Sequence, residues 1–235
     1  LTHPTVPALA STLSVGQELG VTGRDLLTAF CLGYEVECKL AEAMNPDHYI
    51  KGFHSTATMG VFASVAGAAR LYGLTAEQTR FAIGIAASKS AGLRVNFGTM
   101  TKPYHAGAAA ENGVVAAQLA RLGYESDPNA LDGQWGHFQV MGGGVDADRL
   151  LGRLGNPYTL SWPGVSVKPY PCGSLSHPSM DTLLDLILEH DVKPEQVEEV
   201  RLGAGNNILN PLRYQEPQNE LEAKFSLQFC LGILV

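Results

Sequence analysis

At 235 residues the chain has room for one large domain or two modest ones. Hydrophobic residues make up 45% and charged residues only 17%, so few side chains remain to solvate surface, and a large buried core or subunit interface is expected. The net charge of -7 and the lack of any Lys/Arg run speak against a nucleic-acid binder, and an anionic substrate would need a local positive site. Cys31, Cys38, Cys172 and Cys230 show no CxxC and no Cys/His metal spacing, which reads as reduced thiols filling core in a cytoplasmic protein. Stretch 55–69 is weakly charged but too short and polar to span a bilayer. The sequence opens on Leu1 and stops inside the apolar run SLQFCLGILV, so both ends are expected to be cut from a longer protein.

In chain order, the first two thirds read as helix after helix. Residues 4–19 form the first, closed by Gly20. Thr22 with Asp25 resembles a capping box and opens a second helix to about residue 44, whose apolar positions Leu26, Leu27, Phe30, Cys31, Tyr34 and Cys38 recur at helical steps. A third is expected over 55–72, stopped by Gly73, and a fourth from the Thr75/Gln78 capping box to about 88. Pro103 suits the first turn of a fifth helix reaching residue 122. Ala and Gly crowd these segments, which lets helix axes approach closely in a tight bundle. A Gly-rich loop at 142–144 precedes a short helix over 146–154.

Near residue 156 the character changes: NPYTLSWPGVSVKPYPCGSLSHP is rich in prolines and turn residues. A helix over 178–190 and a strand over 197–202, from the alternation in VEEVRL, predict a second, α+β domain. Another helix begins in LEAKFSLQF. The expected fold is therefore mainly α: an all-helical bundle domain over 1–160 and a smaller α+β lid domain over 161–235, each incomplete.

Candidate chemistry concentrates in LTHP, KGFHSTATMG and NFGTMTKPYHAG, each with a basic side chain at or beside a predicted helix start. Lys102 precedes Pro103, where free N–H groups and the helix dipole favour an anion. Together with Thr99, Thr101 and Gly98 it suits a carboxylate site, although a solvated loop lysine fits the same spacing. His54 lies before a Ser/Thr-rich helix start and has the side chain suited to proton transfer near neutral pH; a surface or capping role is the alternative. His105, in the first turn of the fifth helix, either shares the Lys102 pocket or packs beside Tyr104. Lys168, Tyr170, Cys172 and His177 cluster in a proline-stiffened loop that suits a lid or, equally, a linker. No GxGxxG after a strand, GxxxxGK[ST], HExxH or GxSxG occurs. Glu198 and Glu199 read as a solvated strand edge.

GFHSTATMGVFASVAGAARLYGL followed by GIAASKSAGLRVNFGTMTKPYHAGAAAENGVVAAQLA resembles the MmgE/PrpD family of 2-methylcitrate dehydratases, cis-aconitate decarboxylases and iminodisuccinate epimerases. VKPYPCGSLSHPSMD and LEAKFSLQF resemble that family's second-domain signatures, so the likeness covers essentially the whole chain. The resemblance implies a helical bundle with an α+β lid, a homodimer with its active site between the two domains, and neither metal nor organic cofactor. It implies catalytic roles for His3, of an HP motif, His54, of GFH, and Lys102, of TKP. It matches His105, Lys168 and His177 to further basic positions, and these, with the Thr99 and Thr101 read beside Lys102, are the expected substrate-binding residues. The family's Asp-bearing loop upstream of the HP motif is absent from this sequence.

The implied chemistry is acid–base. Lys102 and Lys168 hold carboxylates of a small di- or tricarboxylic acid, and His54 and His3 accept and donate a proton at the adjacent carbon. A dehydratase or decarboxylase is the first expectation. An epimerase of an imino- or amino-dicarboxylate, using the same histidines, is the second. A non-catalytic carboxylate-binding module is the third. No nucleic-acid or membrane partner is expected.

Overall fold

The computed structural model describes residues 2–44 and 46–235. The chain divides into two compact units, Leu1–Val95 with Pro103–Val165, and Asn96–Lys102 with Ser166–Val235.

In the first unit, α1 (Thr5–Leu19) ends where Gly20 turns left-handed and its N–H returns to the Gly16 and Gln17 carbonyls. The start of α2 (Gly23–Met44) is held by Thr22, whose hydroxyl oxygen accepts the Asp25 N–H at 3.2 Å and whose O–H donates to the Asp25 carboxylate at 2.7 Å. Then follow α3 (Asp47–Ile50), α4 (Ser55–Thr58), α5 (Gly60–Tyr72) and α6 (Ala76–Ser88), the last opened by the reciprocal Thr75/Gln78 box. Helix α7 (Thr101–Arg121) and α8 (Ala147–Leu151) complete the set, with the Asp146 carboxylate accepting the Arg149 N–H.

The sequence predicts one helix over 55–72; the structure has two. At Met59, where α4 hands over to α5, the ladder tightens: the Phe62 N–H reaches Met59 O at 2.9 Å, while the helical donor Ala63 N–H is at 3.4 Å. Thr58, the last residue of α4, keeps its helical N–H bond to His54 O at 3.1 Å, and its hydroxyl lies 2.6 Å from Nε2 of His48.

Helix α5 is buried from Gly60 through Ala69 and packs against α1, α2 and α6. It is apolar all round, as a central helix must be. Small residues set how near the others come: a Cβ on Gly33 of α2 would sit 2.5 Å from the Ala63 carbonyl oxygen. One on Gly113 of α7 would sit 2.6 Å from the Val65 nitrogen. Val15, Leu40, Met44, Met59, Phe62, Val65 and the α7 alanines 116, 117 and 120 form the core. The tight bundle read from the Ala/Gly content is what forms.

The second unit holds α9 (His177–Glu189), α10 (Asn206–Leu209), α11 (Glu220–Ala223) and α12 (Leu227–Gly232). Its core is Met180, Leu212, Leu227, Cys230 and Leu231. The expected strand over 197–202 does not form, and no strand occurs among the described residues. Only isolated bridges are present, Phe53 with Leu93 and Arg213 with Ser226. Val197 is extended, but a strand needs a neighbour to take its N–H and C=O groups, and this stretch has no ladder among the described residues. The second unit is thus helical and irregular rather than α+β. The single helix expected from LEAKFSLQF is also two, because Ser226 restarts it by accepting the Phe229 N–H at 3.1 Å. Among the described residues no helix is long and apolar enough to cross a membrane.

Candidate active site

In the first unit the GFH segment is pinned from several sides. Arg94 N–H donates to Gly52 O at 2.8 Å, and its guanidinium donates to Tyr49 O at 2.7 Å while lying 3.8 Å from the Tyr49 ring centre. His54 caps α4 in extended geometry, its backbone N–H donating to Gly92 O at 3.0 Å. Its side chain is buried, and its Nδ1 lies 3.0 Å from Nδ1 of His105, one turn into α7 and also buried. His3 is exposed; its Nδ1 is 2.9 Å from the Thr56 hydroxyl, which also accepts the His3 backbone N–H at 3.1 Å. Thr56 thus links the HP and GFH histidines within one unit.

Sequence reasoning missed a layer beneath this segment. His48 Nδ1 faces the Met141 carbonyl at 3.2 Å, and Nε2 faces the Thr58 hydroxyl at 2.6 Å. A carbonyl only accepts, so Nδ1 carries the proton and Thr58 O–H donates to Nε2. His137 Nε2 faces Ser90 Oγ at 3.2 Å, and Ser90 donates to Thr58 O at 2.9 Å. Burial pushes both imidazoles down to about 4, with the Met141 carbonyl partly opposing this at His48 and the neighbouring His48 adding to it at His137. Neutral, they are structural hydrogen-bonding groups. No motif marks them in the sequence.

Buried acids were also not anticipated. Glu35 accepts the backbone N–H groups of Gly155 at 2.8 Å and Thr159 at 2.7 Å, tying α2 to the irregular stretch before residue 160. Glu37 is fully buried and bonded by the Thr2 hydroxyl next to His3. Burial raises its carboxyl to about 8, the Thr2 bond opposing.

In the second unit, Lys102 is held over two rings, its ammonium 5.3 Å from the Phe97 centre and 5.5 Å from that of Phe225. Burial, and then repulsion from Lys168, lowers its pKa; burial likewise lowers that of Lys168, which donates to Cys172 O at 3.1 Å. Two cations near each other with lowered affinity for their protons are the electrostatic arrangement a dianion relieves. Thr99 caps the approach to α7: its hydroxyl donates to Asn96 O at 2.9 Å and accepts the Thr101 N–H at 3.2 Å, while Thr101 is exposed. His177 is the first residue of α9, buried edge-on to Tyr170 at 5.3 Å, with Nε2 lacking a hydrogen-bond partner among the described residues. Arg213 and Tyr214 were missed. Both donate to Phe97 O, at 3.3 and 2.7 Å, and Gly98 at φ 88 lets the Tyr214 ring lie against the backbone. They fix the loop that carries Lys102.

The MmgE/PrpD N-terminal domain matches residues 1–150 and the MmgE/PrpD C-terminal domain matches residues 170–235. The chain belongs to the MmgE/PrpD family. It is 29% identical to the cis-aconitate decarboxylases of Homo sapiens, over 232 residues, and Mus musculus, over 251 residues. Those matches take in 96% and 99% of this chain but 47% and 50% of the two relatives. A cis-aconitate decarboxylase of Aspergillus terreus (strain NIH 2624 / FGSC A1156) is 28% identical over 250 residues, covering 97% of this chain and 50% of the relative. The chain spans about half the length of the curated relatives it matches.

Within this MmgE/PrpD chain, the expected residues fall into two groups. His3, His54 and His105 gather in the helical unit, while Thr99, Thr101, Lys102, Lys168 and His177 belong to the second. Among the described residues no group of three or more His, Cys, Asp or Glu is arranged to hold a metal ion.

Proposed function

We propose that this MmgE/PrpD chain is part of a lyase that removes CO2 or water from a small di- or tricarboxylic acid by His/Lys acid–base chemistry. The observation that carries this reading is the buried His54–His105 pair, since an imidazole held out of bulk water on a capped, pinned loop is built for proton transfer rather than solubility. The naming of its relatives as cis-aconitate decarboxylases supports the same substrate class.

In this reading the Lys102 and Lys168 ammonium groups receive substrate carboxylates. In decarboxylation the bond to the departing carboxylate breaks, CO2 leaves, and its electron pair is delocalised toward a neighbouring carboxylate. An imidazolium or neutral imidazole N–H of His54 or His3 then protonates carbon. In dehydration one imidazole removes the carbon-bound proton, the electron pair forms the alkene, and hydroxide leaves as water with a proton from the other. An epimerase using the same two histidines is the second reading.

The test is a proton NMR time course in deuterated buffer with the full-length protein and cis-aconitate, 2-methylcitrate and iminodisuccinate. Net conversion to a decarboxylated or dehydrated product supports the lyase. Deuterium incorporation without net loss of substrate moves the reading to the epimerase. A folded protein that binds these acids and leaves them unchanged contradicts both.

A further inference from the structure

The Nδ1 atoms of His54 and His105 are 3.0 Å apart, the rings are tilted by 48°, and the two residues are 3% and 8% exposed. Two bare nitrogens at that distance would set lone pair against lone pair, and two N–H groups would set hydrogen against hydrogen. A hydrogen bond there requires one proton between them. A neutral imidazole carries its single proton on one nitrogen or the other, so two neutral rings sharing this bond are opposite tautomers. The donor has a basic Nε2; the acceptor has an Nε2–H. Gly92 keeps them in place. Its carbonyl accepts the His54 N–H at 3.0 Å, and its Cα faces the His105 ring, where an added Cβ would come within 3.6 Å of Nδ1 and 2.5 Å of the Ala57 Cβ.

We propose that His54 and His105 form one hydrogen-bonded unit, in which His105 is a positioning residue that accepts from Nδ1 of His54 and so sets its tautomer. This deepens the acid–base reading above and rests on it for its functional part. With its Nδ1–H given to His105, His54 presents Nε2 as its basic nitrogen, the one able to take a proton. His105 therefore acts through His54 instead of binding substrate, the role first expected for it.

The experiment uses full-length protein labelled with 15N-histidine. Two-bond proton–nitrogen correlation spectra near neutral pH, assigned with His54→Asn and His105→Asn, report each ring's tautomer directly. One Nδ1–H and one Nε2–H ring is the expected result; two Nε2–H rings overturn the proposal whatever the activity. Turnover of cis-aconitate is then compared between two variants. His105→Phe is expected to lower kcat by about 100-fold with little change in KM. His105→Asn, whose amide puts a hydrogen-bonding group where Nδ1 stood, is expected to stay within about tenfold of the parent. Equal loss in both variants overturns the positioning role. Opposite tautomers in a protein that turns over none of the acids would leave the shared proton standing and remove the lyase reading instead.

Discussion

At Lys102 the ammonium is held by the Phe97 and Phe225 rings and is pressed by burial and by Lys168. A bound carboxylate would supply a charge-assisted contact here. Lys102→Ala is therefore expected to weaken dicarboxylate binding about 10- to 100-fold in isothermal titration, and Lys168→Met to weaken it less, because Lys168 is the more exposed. Unchanged affinity in Lys102→Ala would take the anion site away from this residue. At His48 the expected effect is on stability. His48→Phe removes the bonds to Met141 O and Thr58 Oγ and should cost about 1–3 kcal/mol in urea unfolding. Lys102, His54 and His105 were legible as candidates because they sit in short motifs at helix starts. His48, His137, Arg213 and Tyr214 were not, since their importance comes from contacts with residues far away in sequence, such as Met141, Ser90 and Phe97.

At the level of elements, the helices that depend on local chemistry were readable. Gly20 closing α1, Thr22 opening α2 and the Thr75/Gln78 box opening α6 each satisfy backbone groups within a few residues. The failures needed non-local information. The 197–202 stretch alternates as a strand does, but alternation cannot supply a pairing neighbour. Two glycines of α7 give a matched test of the packing. Gly113→Ala would press a methyl into α5 and should destabilise the protein by about 1–3 kcal/mol. Gly107→Ala meets nothing within 4 Å and should stabilise it by about 0.5–1 kcal/mol through helix propensity. Chemical denaturation of both variants checks the pair of signs; a neutral Gly113→Ala would contradict the close approach of α7 to α5.

For the whole molecule, buried titratable groups shape stability in opposite directions. His48 and His137 stay neutral down to about 4, against an ordinary 6.5, so the unfolded chain takes protons first and stability falls as pH drops from 6.5 toward 4. Glu37 is raised from 4.5 to about 8, so its contribution is full below 4.5 and is lost as pH climbs toward 8. The two histidines therefore give the melting temperature an acid limb between about 4 and 6.5, and Glu37 gives it an alkaline limb toward about 8. His48→Phe should flatten the acid limb, and Glu37→Gln the alkaline one, in melts recorded across this range. The net charge of -7 gives no general attraction for an acid, so in the proposed reading binding would rest on Lys102 and Lys168. The most direct test of the central claim is turnover of cis-aconitate by the full-length protein, followed by proton NMR in parallel with Lys102→Ala and His54→Ala. The acid–base account predicts conversion by the parent and a loss of about 100-fold or more in each variant, with the fold intact by circular dichroism. Full activity in His54→Ala would contradict it.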